Sequence, residues 1–299
     1  MKTRLLSASS SEMLQLTSLE LKQAIKASEG RTIVSENVAP RPSWTGDDLT
    51  NAEVAAAFSA DLILLNCVDV FDVQISGLPA TDQPILELRR LVGRPIGVNL
   101  EPIDLDVDMT EKRLELVEGR QATAKTFQEI EALGFDFVCL TGNPGTGVSN
   151  NQIERAIQQA KAYFSGLIIA GKMHAAGSNE AVIDLETVRR FIEAGADVIL
   201  VPAVGTVPGF TEGDLRAIVE EVHVHDALVM SAIGTSQEGS DTTIVRDIAI
   251  RNKICGVDIH HIGDAGYSGI APVENIFSLS DAIRGKRHTI VRMSRSIRR

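Results

Sequence analysis

A closed (β/α)8 (TIM) barrel of the α/β class, preceded by an extra N-terminal helix, is the fold this sequence predicts. Short β-branched or apolar runs occur eight times, and amphipathic stretches with apolar residues returning every three or four positions lie between them. No Pro-, Gly- or Ser-rich linker divides the 299 residues, and each βα unit is too short to be a domain of its own. Residues 1–299 therefore read as one barrel domain, with 1–30 a helical extension and 284–299 a basic tail. An open doubly wound sheet is the alternative arrangement of the same units.

The expected strands are Thr32 to Val38, Leu62 to Val68, Pro95 to Leu100, Phe135 to Leu140, Leu167 to Ala170, Val198 to Val201, Leu228 to Ile233 and Val257 to Ile262. Expected helices include Leu14 to Ala27, Leu114 to Leu133, Ile153 to Phe164, Leu185 to Ala194, Leu215 to Val222 and Ile244 to Ile254. Thr50 with Glu53 and Thr211 with Asp214 resemble capping boxes, while Ser149 and Asp184 can accept free amide bonds at two other helix starts. Four junctions share one pattern: Ser59-Ala-Asp61, Gly134-Phe-Asp136, Gly195-Ala-Asp197 and Gly256-Val-Asp258 each lead a small capping residue into a strand. The segment before Arg31 would close the barrel bottom or pack on a partner.

The composition narrows the function. With 29 Lys+Arg against 40 Asp+Glu, the formal charge of -11 would repel a nucleic-acid backbone. Seven basic residues from Arg284 to Arg299 follow the last acid, Asp281, and a solvated tail or a final helix packing on an acidic neighbour explains them better than an anion-binding arm does. Cys67, Cys139 and Cys255 have no metal-like spacing and read as buried reduced thiols. There is no leader-like apolar region and no membrane-length apolar run, so the expectation is a cytoplasmic protein, and a homo-oligomer is the partner state expected alongside it.

Barrel enzymes place their chemistry on the loops after the strands' C-terminal ends. The residues found there are Glu36, Asn66, Asn99, Glu101, Thr141, Asn143, Lys172, His174, Ser231, Gly234, Thr235, His260, Gly263, Asp264 and Gly266. Alternation pairs Asn99 with Glu101, Lys172 with His174 and Asp258 with His260 on common faces. Lys172 is the expected base or Schiff-base amine, with His174, Glu101 and His260 as partners in proton transfer and His260, rather than His261, facing inward. Glu36, Glu101, His174, His260 and Asp264 form a mixed nitrogen and oxygen set that suits Zn²⁺, Mn²⁺ or Mg²⁺, so a divalent metal is the cofactor to consider. Gly142-Asn-Pro-Gly145-Thr-Gly147 departs from a dinucleotide fingerprint, and His223, His225 and His288 lie on helices or the tail.

Glycine-rich stretches follow the last two strands, from Gly234 to Gly239 and from Gly263 to Gly269. On these the chain resembles the phosphate-binding (β/α)8 barrel superfamily, which implies an anion on the amides of Gly234, Thr235, Gly263 and Gly266. Arg31 to Glu36, Leu62 to Asn66 and Gly93 to Glu101 are similar to a group of uncharacterised bacterial TIM-barrel proteins. Asp106-Val-Asp-Met-Thr110 resembles the nucleophile motif of haloacid-dehalogenase-type phosphatases, and Asp264-Ala-Gly-Tyr-Ser-Gly269 resembles the Gly-Tyr-Gly loop of phosphoenolpyruvate mutases and isocitrate lyases. The expected function is aldol-type lyase or isomerase chemistry on a small phosphorylated or carboxylated, hence anionic, metabolite. The alternatives are a metal-dependent hydrolase or phosphatase and a non-catalytic sensor of a phosphorylated ligand.

Overall fold

A computed structural model describes residues 3–109, 112–175, 177, 180–266 and 268–299. Eight parallel strands close into a barrel in chain order: β1 Thr32–Val38, β2 Leu62–Asn66, β3 Ile96–Leu100, β4 Phe137–Leu140, β5 Leu167–Gly171, β6 Val198–Pro202, β7 Leu228–Ile233 and β8 Ile259–Ile262. The helices are α1 Ser10–Met13, α2 Ser18–Lys26, α3 Asn51–Ala57, α4 Pro84–Val92, α5 Ala124–Leu133, α6 Asn150–Tyr163, α7 Leu185–Ala194, α8 Glu212–Val224, α9 Thr242–Cys255 and α10 Val273–Ser294. The expected caps form, with Ser149 accepting Gln152 N–H, Asp184 accepting Thr187 N–H, and Thr50 and Thr211 in reciprocal capping boxes.

Two helices differ from expectation. The stretch from Leu114 becomes helical only at Ala124, because Thr123 caps α5 and Gly119 lies where a Cβ would meet the Asp69 carboxylate at 1.8 Å. The stretch from Leu14 waits for Thr17, whose side chain and Glu20 make the capping box of α2.

Strand parity separates two packed layers. Val34, Leu64, Phe137, Ile169, Leu200 and Met230 belong to the barrel interior, which Leu5, Met13, Leu21 and Ile25 close from below. Ile33, Val98, Ile168 and Ile199 belong to the layer between barrel and helices. Gly97 makes room for this interior, since a Cβ there would stand 2.2 Å from the Phe137 ring.

The aspartates of the repeated junction hold the barrel bottom together. Asp61 donates its N–H to the Ile33 carbonyl at 2.9 Å and accepts the Ile33 N–H on its carboxylate at 2.9 Å. Asp136 does the same to Ile96 at 2.8 and 2.8 Å, Asp197 to Ile168 at 2.9 and 3.1 Å, and Asp258 to Val229 at 3.0 and 2.9 Å. Each even strand thus satisfies both backbone groups of one residue on the odd strand before it. Every carboxylate also has a basic partner: Arg284 at 2.7 Å and Arg292 at 2.9 Å for Asp61, Arg89 at 2.9 Å for Asp136, Lys22 at 3.5 Å for Asp197 and His223 at 2.9 Å for Asp258.

The basic tail is therefore structural at Arg284 and Arg292. Arg292 also donates to the Leu5 and Ala8 carbonyls at 2.5 and 3.2 Å, and Arg295 to those of Ser7 and Ala8 at 2.5 and 2.8 Å, tying the end of the chain to its beginning. Among the described residues, no helix is long and apolar enough to cross a membrane.

The four clamps differ in burial, and this sets an order of stability. Asp61→Asn would strand two buried guanidinium groups and should cost about 3–5 kcal/mol. Asp197→Asn keeps an acceptor for Ile168 and loses only a long, partly exposed ion pair at 3.5 Å, so about 1 kcal/mol is expected. Urea denaturation of both variants checks the order, and equal losses would contradict it.

Candidate active site

The clamps also determine which residues reach the mouth. Counting from each clamped residue, the odd strands present Glu36, Asn99, Gly171 and Ala232, and counting from each aspartate, the even strands present Asn66, Thr141, Pro202 and Gly263. Polar side chains thus come from β1 to β4, while β5 to β8 contribute small or apolar ones. A cavity of about 420 Å³ opens there, lined by Glu36, Asn66, Asn99, Thr141, Asn143, His174, Gly234, Thr235, Glu238, Gly263 and Asp264, among others. His174 and Thr235 also line an adjoining apolar cavity of about 780 Å³ walled by Ile183, Leu185, Val207, Phe210 and Ile218.

Amides organise the polar wall. Asn66 Nδ2 donates to Asn143 Oδ1 at 2.9 Å and to Asp264 Oδ2 at 3.0 Å, while Asn66 Oδ1 accepts from Asn143 Nδ2 at 3.1 Å and Asn99 Nδ2 at 3.3 Å. Glu101 stands behind this wall. It accepts the backbone N–H and Nδ2 of Asn143, both at 2.8 Å, and is itself paired with Arg120 at 2.8 Å. The Glu36 carboxylate lies 3.0 Å from His261 Nε2.

Asp264 is the group most perturbed toward neutral pH. Burial, the nearby Glu36 carboxylate and Glu238 push its carboxyl up to about 7, against the bond from Asn66 and the charge of His261. Burial likewise raises Glu238, whose Oε1 accepts the Ala265 N–H at 3.2 Å and whose Oε2 has no hydrogen-bond partner among the described residues. Glu238 escaped the sequence reading because it lies on a short turn after β7, Gln237–Gly239, rather than at a strand end.

Several expected site residues lie elsewhere. Lys172 has the parity of Ile168 and Ala170, away from the barrel interior, and its amine, lowered by burial, donates at 2.6 Å to Glu180. Glu180 in turn accepts the Asn150 N–H at the start of α6, so Lys172 fastens the loop after β5 to that helix. His260 is in register with Ile33 and Ser231, facing the helix layer, where burial drives its ring down to about 3; His261, in register with Val34 and Ala232, faces inward. Ser231 points outward with His260, and neither Glu101 nor Gly266 lines the cavity.

The anion expectation meets an obstacle of its own. The Gly263 N–H donates to the Ile233 carbonyl at 2.9 Å, and a Cβ on Gly263 would stand 2.7 Å from Glu238 Oε1. A carboxylate of the chain itself occupies the place between the last two strand ends. Among the described residues, no group of three His, Cys, Asp or Glu side chains is spaced to hold a metal ion, so the proposed ligand set does not fit a directly bound cation. Asp106 and Asp108 are exposed on the loop after β3, and Thr110 lies outside the described residues, as does Tyr267 of the last glycine loop. The three cysteines are free, with Cys139 and Cys255 buried and Cys67 only partly so.

Residues 6–299 match the family described as Domain of unknown function (DUF7916). The chain belongs to this family. No curated protein matches it. Among solved structures, 2,3-dimethylmalate lyase, a PEP mutase/isocitrate lyase superfamily member, is similar at 12% identity over 83% of this chain and 81% of that one, with a TM-score of 0.50. A putative lyase/mutase from Burkholderia cenocepacia is similar at 15% identity over 83% and 82% (TM-score 0.49), and phosphonopyruvate hydrolase in complex with oxalate and Mg²⁺ at 16% identity over 84% and 81% (TM-score 0.48). At these identities the likeness to 2,3-dimethylmalate lyase shows that this DUF7916 chain shares a barrel fold with it.

The raised Asp264 carboxyl has a thermodynamic signature. The folded chain keeps a proton that the unfolded chain releases, so stability is lost as pH rises from about 4 to about 7 and stays lost above. Asp264→Asn removes that loss while keeping an acceptor for Asn66. Thermal melts should show the variant equal to the parent at pH 4 and more stable at pH 8, by up to about 4 kcal/mol. An unchanged or lower stability at pH 8 would contradict the shifted carboxyl.

Proposed function

We propose that this DUF7916 chain is an enzyme, a lyase or isomerase that moves a proton beside the carbonyl group of a small polar metabolite, with Asp264 as the proton carrier. The observation behind the reading is a buried carboxyl poised near neutral pH in the same cavity as uncharged hydrogen-bonding side chains. A base abstracting a proton next to a carbonyl needs such an affinity, and the enolate oxygen that forms needs donors that cost no reorganisation. Asn99, whose amide spends one N–H on Asn66, and the Thr141 hydroxyl supply donors in that cavity, and the Glu101–Arg120 pair holds Asn143 and through it Asn66. A carboxyl group on the substrate, as the sequence suggests, would meet these same uncharged donors.

An imine route through Lys172 is not part of this reading, because that amine is bonded to Glu180 outside the cavity. Nor is a haloacid-dehalogenase route, since Asp106 and Asp108 are exposed and neither lines the cavity. In D₂O, the chain should incorporate deuterium at the carbon beside the carbonyl of at least one member of a panel of small oxo and hydroxy acids, read by proton NMR. Asp264→Asn should slow this exchange at least about 100-fold. Exchange by the variant at the parent rate would remove Asp264 from the mechanism, and a bound panel member that never exchanges would favour the non-catalytic sensor.

A further inference from the structure

The cavity is acidic and rich in unanswered acceptors. Glu36, Glu238 and Asp264 all line it, and among the described residues no Lys or Arg side chain does. His261 stands 3.0 Å from Glu36, but no ion pair involves Glu238 or Asp264 among the described residues. Glu238 is 3% exposed with Oε2 unpartnered, and Asn99, likewise 3% exposed and lining the same cavity, has its Oδ1 unpartnered. An amide oxygen and a carboxylate oxygen can only accept, so each asks for a donor. Leaving such atoms buried and unpaired is costly unless the ligand provides the donors.

Resting on the same site as the proton-transfer reading, we propose that the ligand carries a protonated amine, seated against Glu238 with Asn99 Oδ1 as a further acceptor, which leaves Asp264 for proton transfer. An ammonium group brings three N–H donors and the positive charge that the wall lacks. An anion in this seat would meet Glu238, whose carboxylate already holds the Ala265 amide. A directly ligated metal would need a donor triad that the described residues do not form. The substrate class that follows is a small amino compound, with its carbonyl or carboxyl end toward the Thr141 hydroxyl.

Three compounds of nearly equal size separate the chemistries: ethanolamine, ethylene glycol and glycolate, with Mg²⁺ alone as a fourth probe. Binding to the full chain at pH 7.5 is read by NMR titration. Ethanolamine should bind about tenfold or more tightly than the glycol or glycolate, and Glu238→Gln should weaken it about tenfold without altering the glycol. Asn99→Ala, which removes the further acceptor and should also weaken ethanolamine, provides a second variant, and unliganded melts verify that each folds. Preference for glycolate, tighter binding of Mg²⁺ alone, equal binding of amine and glycol, or indifference to both substitutions would overturn the amine seat. Because binding is read without turnover, either result leaves the deuterium-exchange test of Asp264 independent.

Discussion

At four places around the barrel bottom, an aspartate that opens an even strand brackets one residue of the preceding odd strand by both its N–H and its C=O. A strand entering a barrel has backbone groups that the ladder alone does not satisfy, and a carboxylate at the helix-to-strand junction supplies the missing acceptor. Burying that carboxylate is unfavourable without a counter-charge. The chain solves this four times with different residues, drawn from its N-terminal helix, from α4, from α8 and from its basic tail. The excess of basic residues after Asp281 is thus in part the counter-charge for the most buried clamp, Asp61.

The same constraint sets register, and register sets chemistry. With one residue of each odd strand fixed against one aspartate, parity delivers Glu36, Asn66, Asn99 and Thr141 to one half of the mouth and Gly171, Pro202, Ala232 and Gly263 to the other. Space opens on the second side and hydrogen-bonding groups gather on the first. Asp264 then follows directly on the inward Gly263, bonded to Asn66 and close to two other carboxyl groups, and its proton affinity is a consequence of that crowding in a poorly hydrated place.

The barrel and the repeated junction were legible because hydrophobic period and cap chemistry are local properties of the sequence. So were Glu36, Asn66, Asn99, Thr141, Asn143 and Asp264 as mouth residues, since each lies at or just beyond a strand end. The choice between His260 and His261 was not. Alternation gives two parities without saying which is inward, although the repeat contained the answer: His260 stands two residues after Asp258 as Ile63, Val138 and Ile199 stand after theirs, all in the outer layer. Lys172 was misjudged for the same reason, and its partner Glu180 lies on a loop whose path no periodicity encodes. Glu238 was hidden because a side chain from a turn can fill a seat that glycines appear to leave open.

The central claim is that the mouth holds a carboxyl group poised near neutral pH at Asp264. Carbon-13 NMR titration of the full chain labelled at aspartate carboxyl carbons, with Asp264→Asn used to assign the signal, measures it directly. The account predicts a midpoint at about 7 that falls toward the ordinary carboxylate range in Glu36→Gln. A midpoint near 4 in the parent chain, unmoved by that substitution, would contradict it.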